Sequence, residues 1–376
     1  MLINSFTDIL GVLIAFLSLF FAFYLLTIKS ENKLSNYLIS FYLIIRAIDS
    51  GAIFSSQLIS PNYPGLGLLI NTLFFLSPPL LYLYICSTTY KDFKLSTKHF
   101  FHAITFLVAI AILIPRFYLA DFDDKIEILK ANDGIIIEMK LVFLMLHLQV
   151  FTYIIASFLT ILKAKKLLLE NYSFGNTNYY NWLFTLITLI AIETIVSTFK
   201  NVFMIYELSA QYNLAMTLTG LTALFFICWL VIKALQSPEL YRKVDNKQPL
   251  VKQLIAKKPQ KAVNNSELKK LEDYMKIKEP YLDPSLNLYD LSKQLEMPSR
   301  ELSILINHNL NQHFFDFIND YRIRKAMELL SDKQNKKLTV LEILYKVGFN
   351  SKSSFNTAFK KHTGSTPTNF RKQHIE

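Results

Sequence analysis

Apolar runs about as long as a bilayer is thick recur along the first two thirds of the chain. Seven of them, at roughly 4–28, 34–58, 66–88, 98–119, 141–162, 181–205 and 212–235, reach the about 20 residues that a helix needs to cross hydrocarbon. The intervals between them are short and polar, so the pattern predicts a seven-helix transmembrane bundle in residues 1–235. The first run is too long for a removable signal peptide and lacks a basic leader and a small-residue cleavage site, which reads as a retained span. Pro78 and Pro79 fall inside the third run, where the missing backbone donors predict a kink. At residues 236–263 the apolar pattern stops, and Pro238, Pro249 and Pro259 alternate with lysines and arginines. That composition predicts a basic linker.

From 264 to 376 the apolar positions return at helical spacing but in short segments. Ser266 opens one that stops before Pro280. Leu288, Leu291 and Leu295 mark the next, a break falls at Glu296–Ser299, and Leu302, Leu305 and Ile306 mark a third. Two short helices around a tight turn make a helix-turn-helix. A longer helix follows from about Phe314 to Leu330, and the device then repeats. Val340, Ile343, Leu344 and Val347 share one face, Gly348 ends that helix, and Phe355, Ala358 and Phe359 form the inner face of the next. The whole chain is therefore predicted to be all-α.

Charge sharpens this division. Residues 1–232 hold 14 Lys+Arg against 13 Asp+Glu, whereas residues 233–376 hold 26 against 16. A strongly basic soluble segment points to an anionic polymer or a lipid headgroup surface as its partner. Within the apolar part, lysines collect after the first, third and fifth runs (Lys29 and Lys33; Lys91, Lys94 and Lys98; Lys163, Lys165 and Lys166). Ser60–Gly65 is uncharged, Asp121–Asp133 is acidic, and the loop after the sixth run carries Glu207. The excess of positive charge on cytoplasmic loops then predicts an N-terminus outside and everything after Lys233 in the cytoplasm. Cys86 and Cys228 both lie in apolar runs and read as small buried hydrophobes.

The C-terminal strings YRIRKAMELL (Tyr321–Leu330), ILYKVGFNSKSSFNTAFKKHTG (Ile343–Gly364) and STPTNFRK (Ser365–Lys372) resemble the AraC/XylS family of transcription regulators. The resemblance spans Leu288 to Arg371. It implies two helix-turn-helix units joined by a long central helix, each inserting a recognition helix into the major groove of double-stranded DNA. Two departures stand out. Pro298 occupies the position where the family usually has a capping Ser, and the glycine usual after the first recognition helix is replaced around Asn311-Gln312. Helical phase predicts an outward set of Arg300, Ser303, Ile304 and Asn307 on the first recognition helix. On the second it predicts Lys352, Ser353, Asn356, Thr357 and Lys360. Arg and Asn suit base edges, Lys suits phosphates. On the central helix, Arg322 and Arg324 can reach phosphate or pair with Asp320 and Glu328, and an internal bridge is expected for one of them. Such a domain can read DNA as a monomer or as a homodimer.

Ionisable groups inside apolar runs are costly and need a reason. Arg46 and Asp49, three apart on one helix face, are expected to pair with each other. Glu193 and Lys200 share a stripe of the sixth run, and the four together are candidates for a ligand or intramembrane polar site. His102 and His147 lack the convergent partners that a metal requires, so neither a metal nor another cofactor is expected. These observations predict a membrane-bound, non-enzymatic regulator that answers a small-molecule or envelope signal. The alternative is a membrane enzyme or transporter with a DNA-binding tail, and a third reading makes the spans only an anchor.

Overall fold

A computed structural model describes residues 5–28, 33–130, 136–173, 177–236 and 265–375. The predicted linker at 236–263 lies almost wholly outside them. The chain is almost entirely helical, and an isolated antiparallel β bridge joins Tyr172 and Asn287. Two compact units form. The first comprises residues 1–161 and 181–241, the second residues 162–180 and 242–376.

The first unit contains α1 (Phe6–Thr27), α2 (Lys33–Ser50), α3 (Pro64–Thr89), α4 (Thr97–Tyr118), the short α5 (Phe122–Lys130), most of α6 (Ile137–Asn171), α7 (Thr177–Ile205) and α8 (Ser209–Gln236). Among the described residues, six helices are long and apolar enough to cross a membrane. A seventh qualifies if α2 is joined to Ala52–Ile59, from which it is bent by 52°. The break falls at Gly51, just past the charged Arg46 and Asp49. A 3₁₀ turn at Leu73–Leu76 interrupts α3 just before Pro78 and Pro79, which fall in the first turn of the helix that resumes at Ser77. The acidic stretch after the fourth run is not an open loop, because Phe122–Lys130 is helical.

The exterior of this unit is apolar, unlike that of a water-soluble bundle. Phe16, Phe20 and Phe23 of α1, Phe100 and Phe101 of α4, and Leu144, Leu148 and Leu159 of α6 are exposed, whereas Ser18, Ser35, Ser40, Ser87 and Thr88 are buried. Ser40 Oγ donates to the Ala22 carbonyl (3.2 Å) and Ser87 Oγ to Ser35 Oγ (2.9 Å), so hydroxyls tie helix to helix. At Gly11 a Cβ would lie 2.5 Å from the Ser50 carbonyl, and only glycine admits that approach of α1 to α2. Cys86 is buried as expected, but Cys228 is exposed on α8, where the outward face is itself apolar.

The second unit holds α9 (Asn265–Lys278), α10 (Leu288–Gln294), α11 (Ser299–Ile304, continued as a π turn to Asn309), α12 (Phe314–Ser331), α13 (Val340–Lys346), α14 (Lys352–Thr363) and α15 (Pro367–Ile375). Its apolar interior divides in two. One cluster gathers Leu271, Leu291, Leu302, Ile306, Phe314 and Ile318, and the other Ile323, Leu330, Ile343, Phe355, Phe359 and Phe370. α12 contributes to both.

α13 starts with a capping box, in which Thr339 Oγ1 accepts from the Glu342 amide (3.1 Å) and the Glu342 carboxylate accepts from the Thr339 amide (2.7 Å). That amide holds the Glu342 carboxyl below its ordinary value. Thr339→Ala should cost about 1 kcal/mol, read as faster hydrogen exchange in α13. A lowered carboxylate contributes above its unfolded pKa and loses that contribution as pH falls through its folded one. The penalty of the substitution should therefore shrink in acid. Phe359→Ala, inside the second cluster, should cost about 3–5 kcal/mol in the same measurement.

Candidate nucleic-acid interface and a polar cavity

The ionisable groups of the apolar runs converge, though not in the pairs expected from spacing. Arg46 on α2 bonds Glu193 on α7 and lies 5.7 Å from the centre of the Phe74 ring. It does not pair with Asp49. Three residues apart on one helix, those two side chains share a face, yet the carboxylate buried on the neighbouring helix offers Arg46 a partner away from water, whereas Asp49 is exposed. Arg46, Asp49, Glu193 and Lys200 all line a cavity of about 490 Å³, with Phe74 and Phe143 among its apolar walls. Among the described residues, no ion pair involves Asp49 or Lys200. Of the two histidines, His147 Nδ1 contacts the Phe143 carbonyl (2.8 Å) and His102 Nδ1 the Tyr153 hydroxyl (2.5 Å). No group of three or more potential metal ligands occurs among the described residues.

In the second unit, α10 and α11 meet across a turn in which Glu296 takes φ 52°. The Met297 amide returns to the Ser292 carbonyl (3.0 Å), and the Ser292 and Ser299 hydroxyls bond each other. Pro298 is the N-cap of α11 without a side-chain cap bond, which shifts the helix start to Ser299. After the π turn Asn311 adopts φ 51°, so an asparagine fills the left-handed position where a glycine was expected. The second pair repeats the arrangement. Gly348 has φ 87°, and a Cβ there would lie 2.6 Å from the Tyr281 carbonyl. Ser351 caps α14 by accepting from the Ser354 amide (3.1 Å). Phe355 and Phe359 anchor α14 inward, and Gly364 at φ 75° ends it.

Residues 291–373 match the model of a helix-turn-helix domain family. Over 89 residues the chain is 32% identical to the Msm operon regulatory protein of Streptococcus mutans serotype c, and over 87 residues 32% identical to the uncharacterized HTH-type transcriptional regulator YdeC of Bacillus subtilis. These alignments cover 24% and 23% of this chain and 31% and 29% of the relatives. The likeness thus spans less than a third of either relative. Similar solved structures include the C-terminal domain of AraT, a response regulator from Geobacillus stearothermophilus. It is 25% identical, with 31% of this chain and 91% of that one covered and a TM-score of 0.26. Another is the C-terminal domain of the two-component response regulator yesN from Fusobacterium nucleatum, at 31% identity, with 29% and 99% covered and a TM-score of 0.25. The C-terminal segment is an AraC-type helix-turn-helix domain.

Its two recognition helices differ in exposure. On α14, Lys352, Ser353, Asn356, Thr357 and Lys360 all stand exposed. On α11 and its π extension, Arg300 and Ile304 are half-buried and Ser303 is only 2% exposed. Ser303 therefore does not belong to the outward face that helical phase suggested. Asn307 is turned inward as well. Its amide donates to the Ser303 carbonyl (3.1 Å) and to the Glu170 carbonyl (3.4 Å), and its side-chain oxygen accepts from the Phe314 amide (3.3 Å). The change to π geometry after Ile304 alters the helical phase at Asn307.

The AraC-type domain also uses its central arginines differently from expectation. Arg322 is 1% exposed and pairs with no carboxylate; it donates to the carbonyls of Tyr281 (2.7 Å), Asp283 (2.8 Å) and Ser173 (2.9 Å), and to Ser173 Oγ (3.2 Å). Arg324 is exposed beside the Tyr321 ring. Glu328 pairs with Lys325 (3.8 Å), and Asp320 with His362 (3.4 Å). Ser173 was invisible to sequence reasoning, since a lone serine in a loop between apolar runs carries no pattern. Removing one partner of a buried ion pair strands the other's charge. Arg46→Met should therefore cost about 3–5 kcal/mol, and adding Glu193→Leu should recover most of it, measured as thermal unfolding of the detergent-solubilised chain.

Proposed function

We infer that the protein is a membrane-embedded, one-component transcription regulator. In this reading seven spans, the bent α2 counted as one, hold an AraC-type domain at the cytoplasmic face of a bacterial inner membrane. The single observation that carries the reading is the presence in one chain of an AraC-type domain with an exposed recognition helix and of a helical unit whose exterior is apolar. Residues 162–180 and the AraC-type domain belong to one compact unit, so both must lie on the same side of any bilayer. That supports the orientation drawn from lysines, which also puts the loop after the fifth run in the cytoplasm.

The cavity lined by Arg46, Asp49, Glu193 and Lys200 is where a signal would act. Its charged lining and aromatic walls suit a small amphipathic molecule with a charged head. No reaction is assigned to it; the regulator's output is DNA occupancy.

Footprinting with the full chain on genomic fragments tests the central reading, and the absence of any protected sequence would refute it. Within a protected site, Asn356→Ala should cost about 1–3 kcal/mol and relax the preference at one base pair, whereas Lys352→Ala or Lys360→Ala should weaken all sequences alike and lower the salt slope by about 1. Reporter fusions within Ser60–Gly65 should behave as exported, and fusions at Lys163–Lys166 as cytoplasmic. Glu193→Gln should abolish an inducible transcript response while DNA protection is retained.

A further inference from the structure

The last turns of α6 and the residues after them, which follow the fifth apolar run, are built into the AraC-type domain. Leu167, Leu168, Glu170, Asn171 and Ser173 are all buried. Tyr172 forms an antiparallel bridge with Asn287, the residue that caps α10. The Ser173 amide donates to the Leu286 carbonyl (3.3 Å), and its hydroxyl bonds the same oxygen. Arg322 closes on Ser173 from the other side with two nitrogens. One turn back, the Glu170 carbonyl accepts from Asn307 of the first recognition helix. Leu169 borders a cleft of about 610 Å³ whose other walls include Asn307 from the first helix-turn-helix and Thr357 and Lys361 from the second.

We propose that residues 168–173 are a strap that docks at the cleft between the two helix-turn-helix units, holds the first recognition helix through Asn307, and must leave before both recognition helices engage DNA. The inference rests on the reading of the domain as DNA-binding. Its physical basis is the place of the segment: Leu169 shares a cleft with Asn307 of the first unit and with Thr357, a predicted contact residue of α14, and the Glu170 carbonyl holds the Asn307 amide. Two recognition helices must enter successive grooves together, so a strap on one of them lowers DNA affinity by the fraction of molecules that are undocked. The strap is also the end of a long helix that begins among the apolar residues at Ile137. A change in the membrane module can therefore pull on it through unbroken helical backbone. The guanidinium is a fitting anchor for such a contact. Its bonds to Tyr281 and Asp283 remain when Ser173 departs, and the donors released can turn to water or to a DNA phosphate.

The test uses the full chain in lipid nanodiscs and a fluorescein-labelled mixed-sequence duplex at low ionic strength, where phosphate contacts alone give measurable binding. Ser173→Trp cannot fit a site that is 1% exposed, and should tighten duplex binding by about tenfold, the effect of losing a charge-assisted contact that held the docked state. Ser173→Ala should shift affinity in the same direction by less. Tyr172→Cys with Asn287→Cys, in a chain whose Cys86 and Cys228 are replaced by serine, joins two directly bridged positions at a separation a disulfide accepts. Oxidation should weaken binding, and a reductant should restore it in the same sample. Equal affinities throughout, with oxidation without effect, would overturn the strap while leaving DNA binding intact. Weaker binding by Ser173→Trp together with no effect of oxidation would overturn it too. Failure of every chain, reduced or oxidised, to hold the duplex would instead remove the DNA-binding reading, and the strap with it.

Discussion

A guanidinium taken out of water must have its donors satisfied, because an unpaired buried charge costs far more than the contacts around it return. Arg322 is the point at which the second unit meets that demand. Burial pulls its pKa down, with the Asp283 carboxylate opposing, and the donors are met by main-chain carbonyls from separate segments: the turn at Tyr281–Asp283 and the loop residue Ser173. Carbonyls supply the bonds without adding a second buried charge. The Gly348 turn packs against the same place, where any side chain would strike the Tyr281 and Leu282 carbonyls. One arginine thus fixes the turn before the first helix-turn-helix, the central helix and the approach of the second.

The first unit answers a different constraint. In the membrane setting proposed for it, lipid is as apolar as the helix faces, so close packing and interhelical hydrogen bonds take over from hydrophobic burial in joining its helices. Gly11, the Ser35–Ser87 hydroxyl pair and the bond from Ser40 to Ala22 are of that kind. The Arg46–Glu193 pair is the extreme case, with two full charges meeting between α2 and α7 beside the cavity.

Much of this was legible beforehand because it depends on period alone. Leu288, Leu291, Leu302 and Ile306, and Ile343, Phe355 and Phe359, are inward in the structure as their spacing required. The exposed set on α14 follows from the same phase. Spacing failed where the backbone left α-helical geometry, as at the π turn after Ile304 that accompanies the inward Asn307. It also failed where the strongest partner was remote in sequence, as Glu193 is for Arg46 and Ser173 for Arg322.

The sequence by itself determined the helices, the contrast between the apolar first two thirds of the chain and its basic last third, and the double helix-turn-helix, since each is a local pattern of side-chain size, polarity and backbone freedom. Only the tertiary structure decided which charges pair, which of the two recognition helices stands open, and that residues 162–180 belong with the C-terminal domain. Those outcomes depend on where water is excluded and on which carbonyls come within reach of a donor, and neither is encoded in the neighbours along the chain.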